Sequence, residues 1–75
     1  MLKELDRAVL EADLPEYGLK AGDIGTIVLE HGDRGFEVEF LTLAGETLAV
    51  VSLTPQQVRA VRPGEIAQAR LVESH

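Results

Sequence analysis

Seventy-five residues with no cysteine exclude disulfide staples, thiolate metal sites and any architecture that needs more than one small core. Thirteen acids against seven bases leave a formal net charge of −6. That balance counts against nucleic acid and anionic membranes, which are drawn to basic surfaces.

Taken in chain order, Asp6 to Glu11 reads as a short first strand. Ala12 to Asp23 then sets Pro15, Gly18, Gly22 and several acids around Leu14, Tyr17 and Leu19, and runs into β-branched sequence. This is the composition of a long ordered loop feeding a strand, because Pro fixes φ and Gly supplies positive φ in turns. Ile24 to His31 is a second strand, with Ile24, Ile27, Val28 and Leu29 placing apolar groups on both faces. His31-Gly32-Asp33-Arg34-Gly35 is a hairpin connection. Phe36 to Leu41 alternates strictly, with Phe36, Val38 and Phe40 on one face and Glu37, Glu39 and Leu41 on the other. Leu43-Ala44-Gly45-Glu46 is a turn, and Thr47 to Leu53 a fourth strand.

Thr54-Pro55-Gln56-Gln57-Val58 offers a capping Thr followed by Pro, in a length that allows only a single 3₁₀ turn. Arg59 to Arg62 is a last strand, stopped by Pro63-Gly64. The pattern is all-β: a small SH3-like five-stranded barrel over residues 1–62, with a 3₁₀ turn before the last strand and a short C-terminal tail over 63–75. Its expected core is Phe36, Val38 and Phe40 beside Val9, Val28, Val50 and Val61. Leu48-Ala49-Val50-Val51 puts apolar groups on both faces of a strand in a barrel that buries one. The tail, through Ile66, Leu71 and Val72, is expected to cover the outer pair, in cis or on a second copy.

Leu14-Pro15-Glu16-Tyr17-Gly18-Leu19-Lys20-x-Gly22-Asp23-x-Gly25-Thr26, with Glu37-Val38-Glu39-Phe40 and a Leu-Ala-Val-Val segment before Leu-Thr-Pro, resembles a family of small bacterial proteins described only as a domain of unknown function. The resemblance covers roughly residues 3 to 62 and implies an SH3-like barrel. It also implies a gene that sits beside another small gene, as in toxin–antitoxin or immunity pairs, and it supplies no catalytic residues.

Gly22-Asp23-Ile24-Gly25-Thr26-Ile27 is similar to the core of the KOW element of ribosomal and transcription-factor barrels, but RNA binding there depends on basic loops and these loops are mostly acidic. Proline-rich ligands need an aromatic groove, and this chain has only Tyr17, Phe36 and Phe40. Glu37 and Glu39 point the same way from one strand, which suits a solvated face or a patch for a basic partner better than acid–base catalysis. His31 and Asp33 flank one turn and His75 is terminal, so no metal or other cofactor is expected. Size and residue inventory together point away from an enzyme.

The acids of Met1-Leu2-Lys3-Glu4-Leu5-Asp6 interrupt the apolar run that a signal peptide requires, and no segment approaches the roughly 20 apolar residues of a membrane span. The expectation is a soluble cytoplasmic module, monomer or homodimer, that binds a basic protein encoded nearby and acts as its antitoxin or immunity-type partner. The alternative is a KOW-like structural accessory subunit of a ribonucleoprotein or larger enzyme. The candidate partner-binding residues are Asp13, Glu16, Tyr17, Glu37 and Glu39.

Overall fold

Alternating segments of this length must pair to satisfy their backbone groups, and they do so in one antiparallel sheet. The computed structural model describes residues 2–72; His75 lies outside them. The strands are β1 (Arg7–Leu10), β2 (Ile24–Glu30), β3 (Phe36–Leu41), β4 (Thr47–Leu53) and β5 (Val58–Ala60), in the spatial order β4-β3-β2-β1-β5. The only helical pieces among the described residues are 3₁₀ turns at Pro15–Tyr17 and Gly32–Arg34. Before β5, Gln57 N–H donates to the Thr54 carbonyl at 3.0 Å, closing the expected single turn.

One cluster gathers Ala8 and Leu10 of β1, Ile27 of β2, Val38 and Phe40 of β3, Val51 and Leu53 of β4 and Val58 of β5. A flat sheet would hold its two edge strands about 19 Å apart, at roughly 4.8 Å per strand. Residues of both edges share this cluster, so the sheet is rolled round one core. Leu14 and Leu19 of the first loop join the same cluster. They are held as a pair by backbone bonds of 2.9 and 3.1 Å across the Pro15–Tyr17 turn. The Pro- and Gly-rich loop is thus a structural plug.

Phe36, Val38 and Phe40 face inward as expected, with Phe36 only partly buried at the edge of the cluster. The valines expected beside them do not. Ile27 pairs with Val38 and Val38 with Val51, so these three share the inner face and their neighbours Val28 and Val50 must face out. Val61 lies beyond the end of β5 and is exposed. Val9 is buried but faces outward, because Ala8 and Leu10 take the inner positions of β1. A bulge between Ile27 and Leu29 shifts the register so that Leu29 pairs with outward-facing Glu37, which leaves Val28 and Leu29 both exposed.

Within one chain the described part of the tail does not cover the outer face of β4. Leu48 and Val50 remain 39% and 53% exposed, and Ile66 and Leu71 stand 92% and 89% exposed in the tail itself. Instead residues 65–70 strap across the other end of the sheet. There Glu65 meets Arg59 of β5, and Arg70 meets Asp23 just before β2. Charge places this segment, because two bidentate ion pairs latch its ends while its large apolar side chains stay in water. No helix among the described residues is long and apolar enough to cross a membrane.

Candidate functional site

On the outer face, cross-strand pairing lines Arg7, Thr26, Glu39 and Val50 up in one row. In the next row Glu37 stands between Leu29 and Ser52. Both carboxylates are tied to neighbours on adjacent strands or loops. Glu37 Oε2 accepts from the Ser52 hydroxyl and lies 2.8 Å from His31 Nε2, whose ring N–H donates to it. The Thr47 hydroxyl donates to Glu39 Oε2 at 2.7 Å. The hydrogen bonds from Ser52 and His31 hold the Glu37 carboxyl below its usual range. A carboxylate stabilised in its charged form is a poor proton donor near neutral pH, so Glu37 is suited to attracting cations.

Around these acids Val28, Leu29, Leu41, Leu48 and Val50 are all partly exposed. β4 is the edge strand, and its seven residues, Thr47-Leu48-Ala49-Val50-Val51-Ser52-Leu53, include no charge and no proline. Charges, prolines and bulges are the usual devices that stop an edge from pairing with another chain. β4 carries one such device, a bulge at Leu48 where Phe40↔Ala49 gives way to Leu41↔Thr47. From Ala49 to Leu53 the pairing is regular, and among the described residues no further strand lies on the side away from β3.

The candidates Asp13, Glu16 and Tyr17 lie elsewhere, in the first loop. Asp13 Oδ1 accepts the Ala21 N–H at 2.9 Å, which fixes the loop. Glu16 and Tyr17 belong to the 3₁₀ turn that spans Leu14 and Leu19, and Tyr17 is 41% exposed. Among the described residues no hydrogen bond or ion pair joins this group to Glu37 and Glu39. His31 turns to Glu37, and among the described residues no group of three or more His, Cys, Asp or Glu is placed to hold a metal ion.

Sequence reasoning missed Asp23, Arg59, Glu65 and Arg70, which form the strap's two latches. Arg59 Nη1 and Nη2 donate to the two Glu65 oxygens at 2.9 and 2.7 Å, and Glu11 approaches Arg59 Nε at 3.3 Å. Arg70 Nε donates to Asp23 Oδ1 at 2.9 Å, and its Nη2 donates to Asp23 Oδ2 and, at 3.1 Å, to the Gly18 carbonyl. Partial burial pushes the Asp23 carboxyl up, but the Arg70 hydrogen bond and the Lys20 N–H outweigh it and leave it lowered. No short-range signal marks the second pair, since Asp23 and Arg70 are 47 residues apart, whereas Arg59 and Glu65 lie close in sequence across the Pro63-Gly64 turn.

The Arg59 hydrogen bonds, aided by the Arg62 N–H, pull the Glu65 carboxyl down to about 2 from its usual 4.5. A carboxylate depressed in the folded state contributes stability above its unfolded value and loses it as pH falls through the folded one. The Glu65 latch is therefore intact above about pH 4.5 and opens as pH approaches about 2. Carbon-detected NMR titration of the Glu65 carboxyl should give a midpoint near 2, and Arg59→Ala should return it to the ordinary range. An ordinary midpoint in the unmutated chain would show that the latch does not form.

A family model described as "Domain of unknown function (DUF4926)" matches residues 4–60. No curated protein and no solved structure matches the chain.

Proposed function

The chain belongs to the DUF4926 family, a domain of unknown function, and from that premise we propose that it is a protein-interaction module, not an enzyme, that binds a basic partner on the outer face of β3 and β4. The observation that carries this reading is the uncharged edge of β4, regularly paired from Ala49 to Leu53, lying directly beside Glu37 and Glu39. An extended segment added to that edge would gain main-chain hydrogen bonds and cover Leu48 and Val50. Its Lys or Arg side chains could cross β4 to the two carboxylates. A formal charge of −6 opposes pairing with a second copy at that edge and steers a basic protein toward it.

The loop candidates Asp13, Glu16 and Tyr17 are outside this patch and serve the plug. In its biological form the module is an antitoxin or immunity-type protein that neutralises a basic protein encoded beside it in the cytoplasm, the setting suggested by the family resemblance and the lack of cysteine.

The test is co-expression with the products of the adjacent genes, followed by affinity measurement on the purified pair. A basic partner should bind more weakly as salt rises, because exposed charges are screened over about 8–10 Å at physiological ionic strength. The double variant Glu37→Lys, Glu39→Lys gives up the hydrogen bonds from Ser52, His31 and Thr47 but leaves the buried cluster intact, so it should stay folded by circular dichroism and lose affinity by about tenfold or more. Unchanged affinity in that variant would move the binding face elsewhere. Salt-sensitive binding to RNA in place of protein would favour the KOW-like accessory subunit.

A further inference from the structure

Residues 65–70, with no strand pairing, lie over residues of β1, β2 and β5. A groove of about 630 Å³ lies between them and the sheet, with Val9, Ile24 and Val61 among its lining. Val9 in its floor is an outward-facing residue only 5% exposed. At one end Arg59 grips a carboxylate, and at the other Asp23 and the Gly18 carbonyl grip a guanidinium. The two anchors are of opposite sign, so they fix the polarity of whatever lies between them, and the strap joins them with a carboxylate and an arginine five residues apart.

We propose that this face is a recognition surface for an extended segment of a partner protein that carries a carboxylate and, five residues later, an arginine, and that residues 65–70 hold its two anchors as an intramolecular stand-in while leaving the groove beneath them unfilled. Three observations support an exchangeable occupant. The anchoring residues Gly18, Asp23 and Arg59 fall within the matched region, residues 4–60, and the strap lies wholly after it. Ile66 of the strap and Leu71 just after it are about nine-tenths exposed, so the hold rests mainly on the two ion pairs, whose side chains stay 19–35% exposed and within reach of a competing ligand. Pro63-Gly64 forms the turn at its root, with Gly64 at φ 88° and the Glu65 N–H donating to the Arg62 carbonyl at 3.2 Å, so the strap can lift without disturbing β5. A partner segment with an apolar side chain laid over Val61, which the strap leaves 43% exposed, would outcompete it. This face lies at the β1–β5 end of the sheet, remote in strand order from the β4 edge, and stands independently of the function proposed above.

The experiment uses a synthetic peptide of residues 64–72 as probe and measures its binding by calorimetry and by amide shifts at Val9, Asp23 and Ile24. In the full chain the tethered strap competes at high effective concentration. Arg70→Ala should unlatch it and bind the peptide at least tenfold more tightly than the unmutated chain does. Adding Asp23→Asn should abolish that binding, and a peptide with its Glu and Arg exchanged should not bind. A chain ending at Gly64 should behave like Arg70→Ala and serves if that variant folds poorly. Equal binding to latched and unlatched chains, or no binding to either unlatched form, overturns the proposal. A concentration-dependent dimer of the full chain would assign the groove to a second copy's tail and overturn the assignment to a partner.

Discussion

Phe40→Ala should leave the chain largely unfolded at room temperature. Phe40 is 2% exposed and is among the largest fully buried side chains. It packs where β2 and β3 meet: a Cβ added at Gly25 would come within 3.0 Å of its ring. Removing a buried Phe costs about 3–5 kcal/mol through lost transfer energy and the cavity left behind. A domain of this size has roughly 3–5 kcal/mol to lose, so the two figures meet. Phe36→Ala should cost less, because Phe36 is only partly buried against the cluster. Thermal melting by circular dichroism checks both. A cooperative Phe40→Ala melt near the unmutated temperature would contradict the core assignment.

What could be read from the sequence depended on how local each cause was. The β3 and β4 boundaries, Phe36–Leu41 and Thr47–Leu53, follow from alternation and turn residues within a few positions, and they stand as expected. The start of β5 does not, because Val58 is drawn into the core by its pairing with Leu10, 48 residues earlier. The sidedness of Val28 and Val50 was ambiguous for the same reason. Two adjacent apolar residues carry no mark of which faces inward until Val38 fixes the register between Ile27 and Val51. Glu37 and Glu39 were legible as a pair from their spacing alone. Ser52, Thr47 and His31, which hold them, became visible only once the strands were paired. The strap was least legible, since its apolar residues suggested hydrophobic cover and its position is set by charges at Asp23 and Arg59.

Gly35→Ala should destabilise the barrel far more than Gly32→Ala, although both glycines sit in one short connection. Gly35 has φ 129° and ψ −148°, a region essentially reserved for glycine. A Cβ there would lie 2.1 Å from the Leu53 carbonyl oxygen and 3.1 Å from the Thr54 Cα. Those are backbone atoms that cannot swing aside. The neighbouring pair Phe36↔Leu53 opens the β3–β4 ladder, so relieving the clash means prising the two strands apart at that point. Gly32 has φ 61° and nothing within 4 Å of an added Cβ, so its substitution carries only the left-handed backbone penalty of about 1–2 kcal/mol. At about 4–8 °C per kcal/mol for a domain this small, Gly32→Ala should still melt cooperatively at a reduced temperature. Gly35→Ala should lose its folded baseline or melt well below it. The functional consequence follows from position. Gly35 accepts the His31 N–H at 2.8 Å and abuts the last residue of β4, so the same substitution should disturb both the His31–Glu37 contact and the free edge that the partner is proposed to use. Equal melting temperatures for the two variants would show that the close approach of Gly35 to Leu53 relaxes freely, and the β4 edge would then be less rigidly placed than its pairing implies.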